Sequence, residues 1–349
     1  MATVATLGTG RLRSRKYNFK KIVVATDFSS AAERALEYAI AIARQYYGDV
    51  TIVHAVAPEP HQSVPMDPLP HEIDLEYAEA EAQMGGMDRR LESASVPHQT
   101  VLQRGRASDV VQCVIQQNKA DLLVLGTRGR TGLSRLVLGS VAEELLRTVE
   151  CPVLTVGQRA ARAPEAVEFK TILFATDFGP GSEKAFQYAA RIANRCKAKL
   201  ILLHTVAPVA KFAPLSKDWT PPPTTAEAVV QWEDRARDES LRKLRSLVSS
   251  FSKPIEAEYA ITLDFSPRAI LESMALHKPD LVVMGANRPR STRFAAHLPW
   301  TVLHGVLCGS SCPVLTISAG NRINTRRDFS TRHTRRFTKT ETETCRLFG

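Results

Sequence analysis

The residues with the clearest chemical meaning lie in one stretch, GTRGRTGLSRLVLGSVAEELLRTVE, which begins at Gly126. Two residues separate Gly126 from Gly129, nine more separate Gly129 from Gly139, and Ser140 follows at once. The apolar run DLLVLG (121–126) leads into it, and a helical pattern starts at Gly139–Ser140. Free backbone N–H groups at a helix N-terminus attract anions. Glycines let a backbone adopt positive φ and approach a ligand closely. Ser140 brings a hydroxyl, and Arg128, Arg130 and Arg135 bring positive charge. The chemistry on offer is an anion cradle, built mostly from backbone.

Each residue taken alone also has a purely structural reading. Ser140 with Glu143 has the spacing of a capping box, which a helix needs with or without a ligand. Gly126 can simply end a strand, and Asp27 can cap the helix that follows it. Their joint spacing is what points to a nucleotide site.

The pattern G-x2-G-x9-G-[S/T], placed after a strand and before a helix, resembles the signature of the universal stress protein family, specifically its ATP-binding branch. The resemblance covers nearly all of 20–157 and, more loosely, 169–318. The strand end ATD (25–27) is similar to the family's P-T-D or V-D end, with Ala25 where proline is common, and His54–Ala55 resembles the end of its second strand. The resemblance implies ATP as ligand. Asp27 and Ala55 would then face the base, and Gly126 and Gly129 the ribose and phosphates. Gly139, Ser140 and Val141 would cradle the phosphates through backbone N–H groups, with a divalent cation on the phosphates in some such sites. No general base stands beside the phosphate loop in the sequence, so no catalytic residue is expected, and at most slow ATP hydrolysis. The functional expectation is a nucleotide-responsive stress-response or regulatory factor. The alternative is a non-catalytic interaction or scaffold module in which ATP is structural or absent.

The chain also repeats itself. FKKIVVATDF (19–28) matches FKTILFATDF (169–178), and TIVHAVAP (51–58) matches ILLHTVAP (201–208). DLLVLG (121–126) matches DLVVMG (280–285), and CPVLTV (151–156) matches CPVLTI (312–317). Two homologous domains follow, 19–157 and 169–319, joined by a linker at 158–168 and flanked by basic tails at 1–18 and 320–349. Counting back from the matched Cys-Pro pairs, Trp300 stands in place of Gly139, Thr301 in place of Ser140 and Arg288 in place of Gly129. Pro289 removes one N–H that a cradle would use. The second copy is therefore expected not to hold ATP in the family manner, although Arg288, Arg290 and Arg293 keep its loop positive. Asp177 persists in that copy, so the aspartate discriminates poorly between the two.

The elements that must position these residues alternate between strand and helix. Short β-branched runs (21–26, 171–176) precede helices (29–47, 181–196) with apolar residues such as Ala35, Tyr38, Ala39 and Ile42 at helical spacing. Ser30 and Glu33 sit three apart at the first of these, as in a capping box. Second strands (50–56, 199–206) lead to long charged helices (71–94, 225–251), the first weakened by Gly85 and Gly86. Alternating elements with continuous apolar strands predict an α/β fold of two tandem Rossmann-like, HUP-type domains. Each is a five-stranded parallel sheet flanked by helices. Ligands in such sheets bind at the carboxyl ends of the strands. The resemblance adds that last strands pair between domains. Here 152–156 and 313–317 would pair within one chain as a pseudo-dimer, or between chains as a homodimer.

Composition closes off other classes. The net charge of +10 belongs to the ends: residues 1–21 carry six Lys/Arg and no acid, and residues 320–349 carry eight Lys/Arg against three acids. Such tails can hold nucleic acid or anionic lipid by charge, but they read as solvated ends, and neither partner is expected. Six scattered cysteines fit free thiols and a cytoplasmic location. His54 and His204 lie on apolar strands and read as packed core residues. His304, Cys308 and Cys312 fall four apart but offer no fourth metal ligand. The chain contains no G-x4-G-K-[S/T] loop, no G-x-G-x-x-G fingerprint and no G-x-S-x-G elbow.

Overall fold

The computed structural model describes residues 19–56, 70–127, 138–163, 168–206, 225–264, 267–286 and 297–319, with backbone alone for 70–74 and 297–300. Both basic tails fall outside these residues, as do 128–137 with Gly129 and 287–296 with Arg288 and Pro289.

The first half runs β1 (Lys21–Ala25), α1 (Ser30–Tyr46), β2 (Asp49–Val56), α2 (Pro70–Ser93), β3 (His98–Arg104), α3 (Ala107–Asn118), β4 (Leu122–Gly126), α4 (Ser140–Thr148) and β5 (Val153–Val156). The second repeats it as β6 (Thr171–Thr176), α5 (Pro180–Cys196), β7 (Lys199–Thr205), α6 (Ala226–Ser249), β8 (Ala257–Thr262), α7 (Pro267–His277), β9 (Leu281–Ala286), α8 (His297–Gly309) and β10 (Val314–Ser318). All strands join one ten-stranded sheet in the order β3-β2-β1-β4-β5-β10-β9-β6-β7-β8. Pairing is parallel within each half. At the centre β5 and β10 run antiparallel, with Val314 opposite Thr155, Leu315 opposite Leu154 and Thr316 opposite Val153. The expected pseudo-dimer pairing thus forms within one chain. The Thr155 hydroxyl adds a bond to the Val314 carbonyl at 3.2 Å across it.

The strands are apolar on both faces because both are covered. Ile22 and Val24 point to one core, and Val23 to the other. The first core takes Leu36 of α1, Leu91 of α2, Phe186 of α5 and Leu244 of α6. The second takes Val114 of α3, Leu145 of α4, Met274 of α7 and Val306 of α8. Both cores run unbroken through the central seam, so the halves share their interior. Outside the sheet, the Arg195 guanidinium sits 4.2 Å over the Tyr46 ring and donates to the Gln45 carbonyl, tying the ends of α1 and α5.

Two local expectations need correction. The N-cap of α1 is Ser29, whose hydroxyl accepts from the Ala32 N–H at 3.3 Å; Ser30 is already helical. Gly85 and Gly86 leave α2 continuous from Pro70 to Ser93, because Met84, Met87 and Leu91 anchor that stretch to the core. No described helix is long and apolar enough to cross a membrane.

Candidate functional site

The turn after β1 is set by the ATDF sequence. Phe28 takes a left-handed φ of 62°, stabilised by its N–H bonding the Thr26 hydroxyl at 3.0 Å. The Asp27 carboxylate accepts from the Ser29 N–H at 3.1 Å. It shapes the turn, while Ser29 rather than Asp27 caps the helix. His54 closes the unit: its Nδ1 lies 2.8 Å from the Thr26 carbonyl, and its ring packs on Phe28 with centroids 4.3 Å apart. The second half reproduces this device. Phe178 has φ 59°, its N–H reaches the Thr176 hydroxyl, and His204 bonds the Thr176 carbonyl and packs on Phe178 at the same distances. Burial holds the His204 imidazole below its ordinary pKa. Both histidines are therefore part of the turn's packing, as their apolar strands suggest. One difference separates the aspartates. Asp177 accepts the Ser182 hydroxyl at 2.6 Å, whereas Ala32 occupies the corresponding place beside Asp27.

The start of α4 forms the opposite wall. Gly139 is its N-cap at φ −61° and ψ 140°, and no side chain caps the helix. The expected Ser140–Glu143 capping box does not form; Ser140 is the first helical residue, exposed at the surface. The helical ladder starts with the Glu143 N–H donating to the Gly139 carbonyl at 2.9 Å. The N–H groups of Ser140, Val141 and Ala142 precede that ladder and carry the positive end of the helix dipole. Gly139 itself donates to the Thr127 carbonyl at 2.9 Å, which ties the start of α4 to the end of β4. Positive φ plays no part at Gly126 or Gly139. Gly126 has a packing reason instead: a Cβ there would lie 2.9 Å from the Ala31 carbonyl carbon and the Ala32 nitrogen of α1. Gly285 is constrained the same way against Gly181 and Ser182, so this glycine belongs to the fold of both halves.

These walls enclose a cleft of about 210 Å³ at the carboxyl ends of β1, β2 and β4. Asp27, Ala55, Gly126, Gly139, Ser140 and Val141 all line it, so six of the seven sequence-derived residues converge. The seventh, Gly129, lies outside the described residues. Sequence reasoning missed Ala107 and Val111, which bring α3 to the cleft. Its signal was Gly105, whose φ of 149° turns the chain sharply from β3 into α3. A second helix N-terminus therefore opens beside that of α4, and it too has no side-chain cap. The cleft's lining is mainly apolar, with backbone polar groups at one end, and this suits a flat ring plus an anion.

The second half differs at the matching place. α8 begins at His297, so Thr301 lies inside the helix instead of at its start. Its N–H is no longer at the terminus where an anion would meet it. α8 also packs closely on α7. A Cβ on Gly305 would lie 2.5 Å from the Pro267 Cβ, and one on Gly309 would lie 2.6 Å from a Leu271 methyl. Of the His/Cys group, Cys308 Sγ lies 3.9 Å from His304 Nδ1, while Cys312 is buried at the start of β10 and bonded to Ser310. No metal-binding cluster of His, Cys, Asp and Glu occurs among the described residues.

Comparison with known proteins agrees with this architecture. The model of the universal stress protein family matches residues 18–157 and again 168–318. A universal stress protein of Methanocaldococcus jannaschii is 32% identical over 146 residues, covering 42% of this chain and 86% of that protein. One of Mycolicibacterium smegmatis is 27% identical over 231 residues, covering 62% of this chain and 76% of its own length. The crystal structure of a universal stress protein from Archaeoglobus fulgidus superposes with a TM-score of 0.61 at 18% identity, covering 86% of this chain and 98% of that one. The doubled match, the doubled turn and the mostly parallel sheet with flanking helices lead to one assignment: this chain belongs to the universal stress protein family, with two such domains in tandem.

Proposed function

We propose that the first half binds ATP and that the protein acts as a nucleotide-responsive stress factor without being an enzyme. One observation carries the reading: the uncapped start of α4 opens onto the same cleft as Asp27 and Ala55. The base enters between Ala55 and Val111, where apolar walls meet a backbone edge. The Asp27 carboxylate faces the exocyclic amino group of adenine as acceptor. The phosphates lie on the N–H groups of Ser140, Val141 and Ala142, where the dipole favours negative charge. Gly139 has no side chain to fill the space of the phosphates, and a divalent cation bound with them would neutralise part of their charge. The second half does not bind ATP in this way, because Thr301, which matches Ser140, lies inside α8 and not at a free helix start. The free thiols of the described cysteines fit a reducing, cytoplasmic setting.

A second reading is an interaction module in which ATP is structural or absent. The shared sheet and unbroken cores favour it, since they join the two halves through packing that needs no ligand. Native mass spectrometry separates the two. The nucleotide reading predicts that the chain adds the mass of one ATP when ATP is supplied, and releases it on denaturation. A chain that stays at its bare mass in millimolar ATP supports the interaction module.

A further inference from the structure

Next in sequence to the cleft-lining residues Ala107 and Leu145 is an ion pair that the glycine signature does not account for. Arg106 is the N-cap of α3 and immediately precedes Ala107 on the cleft wall. Its Nη2 lies 2.8 Å from Glu144 Oε2 of α4. Arginine is a poor choice at that position. It offers no acceptor to the free N–H groups, and its charge opposes the helix dipole. With 68% of its side chain exposed, it does no packing that would compensate. Departures from local rules of this kind are expected where a binding group is wanted.

The geometry places this group next to the anion end of the cleft. Ser140 and Glu144 are one helical turn apart on the same face of α4, a separation of roughly 6 Å. A guanidinium held by Glu144 is thus about one turn from the N-terminal N–H groups. It can swing to a second anion by side-chain rotation alone. A planar guanidinium matches a phosphate with two parallel hydrogen bonds. The second half has no such pair. Counting from the matched Cys-Pro motifs, Glu144 corresponds to Gly305, which lies against Pro267 instead of against a cation.

We propose that Arg106 is the phosphate-reading residue of this cleft. On binding, it leaves Glu144 for the outer phosphates of a nucleoside polyphosphate, so the site favours polyphosphates over nucleosides. Glu144 holds the guanidinium beside the cleft and competes with the ligand for it. The inference rests on the nucleotide reading above and adds to it the residue that sets phosphate number.

The test is calorimetric titration of ATP and of adenosine into the full chain, the Arg106→Ala variant and the Glu144→Gln variant. Both side chains are partly exposed, so the variants fold. Arg106→Ala should weaken ATP about tenfold and leave adenosine unchanged, the scale of one partly screened charge-assisted contact. Glu144→Gln should tighten ATP about threefold, because the competitor for the guanidinium is gone. An unchanged ATP-to-adenosine ratio in Arg106→Ala, or weaker ATP binding in Glu144→Gln, overturns the role of Arg106 and leaves the site itself standing. Wild-type chain that binds neither ligand overturns the nucleotide reading and this inference with it.

Discussion

Replacing Gly139 by tryptophan, the residue at the matching position of the second half, is expected to weaken ATP binding by about a hundredfold or more, equivalent to roughly 2.7 kcal/mol. The reason is local. Gly139 adopts φ −61° and ψ 140°, which any residue tolerates, so the substitution adds no backbone strain. It places an indole on the cleft wall next to the N–H groups of Ser140 and Val141, where the phosphates must lie. The helix itself keeps its ladder, since the Gly139 carbonyl and N–H retain their bonds to the Glu143 N–H and the Thr127 carbonyl. Calorimetry should therefore lose its ATP signal, while thermal unfolding changes little. A variant that still binds ATP with near wild-type affinity would place the phosphates elsewhere.

Gly285→Ala has the largest expected effect on stability. A Cβ at this position would lie 2.4 Å from the Ser182 nitrogen and 2.5 Å from the Gly181 carbonyl carbon, both backbone atoms of α5. Neither atom can move without displacing the whole helix from the sheet. Overpacking of a core costs about 1–3 kcal/mol, and backbone contacts this close put the cost at the upper end or beyond, about 3 kcal/mol. For a chain of this size, the fall in Tm is about 4 °C. Thermal unfolding monitored by circular dichroism reads it directly, and an unchanged Tm would show that α5 has freedom the packing denies. ATP binding below the transition should survive, because the cleft belongs to the other half. The two variants thus separate binding from stability: one changes the site and not the fold, the other the fold and not the site.

Much of the fold was readable because the chain states it twice. The repeated FATDF-type strands, the HxVAP strands and the CPVLT strands mark matching elements, and apolar runs without alternation announce a covered parallel sheet. The site was readable because six residues scattered over 115 positions meet at the carboxyl ends of three neighbouring strands. What was not readable depended on single dihedral angles and on helix spacing. Adjacent serines at 29 and 30 both suit a cap, and only the extended backbone of Ser29 decides between them. Ser140 looked like a cap, but Gly139 holds that place, which leaves the helix end open to a ligand. Thr301 matches Ser140 in sequence, yet α8 begins four residues earlier, at His297. The close approach of α7 and α8 did leave a trace in the sequence: Gly305 and Gly309 are four apart, on one face of α8. The Arg106–Glu144 pair left none, since its members lie 38 positions apart.

The second half is an internal comparison for every claim about the first. It keeps the Asp-Phe-His turn and the tight glycine at the end of its fourth strand, so these are features of the fold. It lacks the uncapped helix start at the position matching Ser140, so that start, together with Gly139, is what sets the first half apart.

The asymmetry between the halves is the centre of the account, and titration calorimetry of ATP into the full chain measures it most directly. One site per chain, abolished by Gly139→Trp, is the predicted result. Two equivalent sites per chain, or no binding at all, would contradict it.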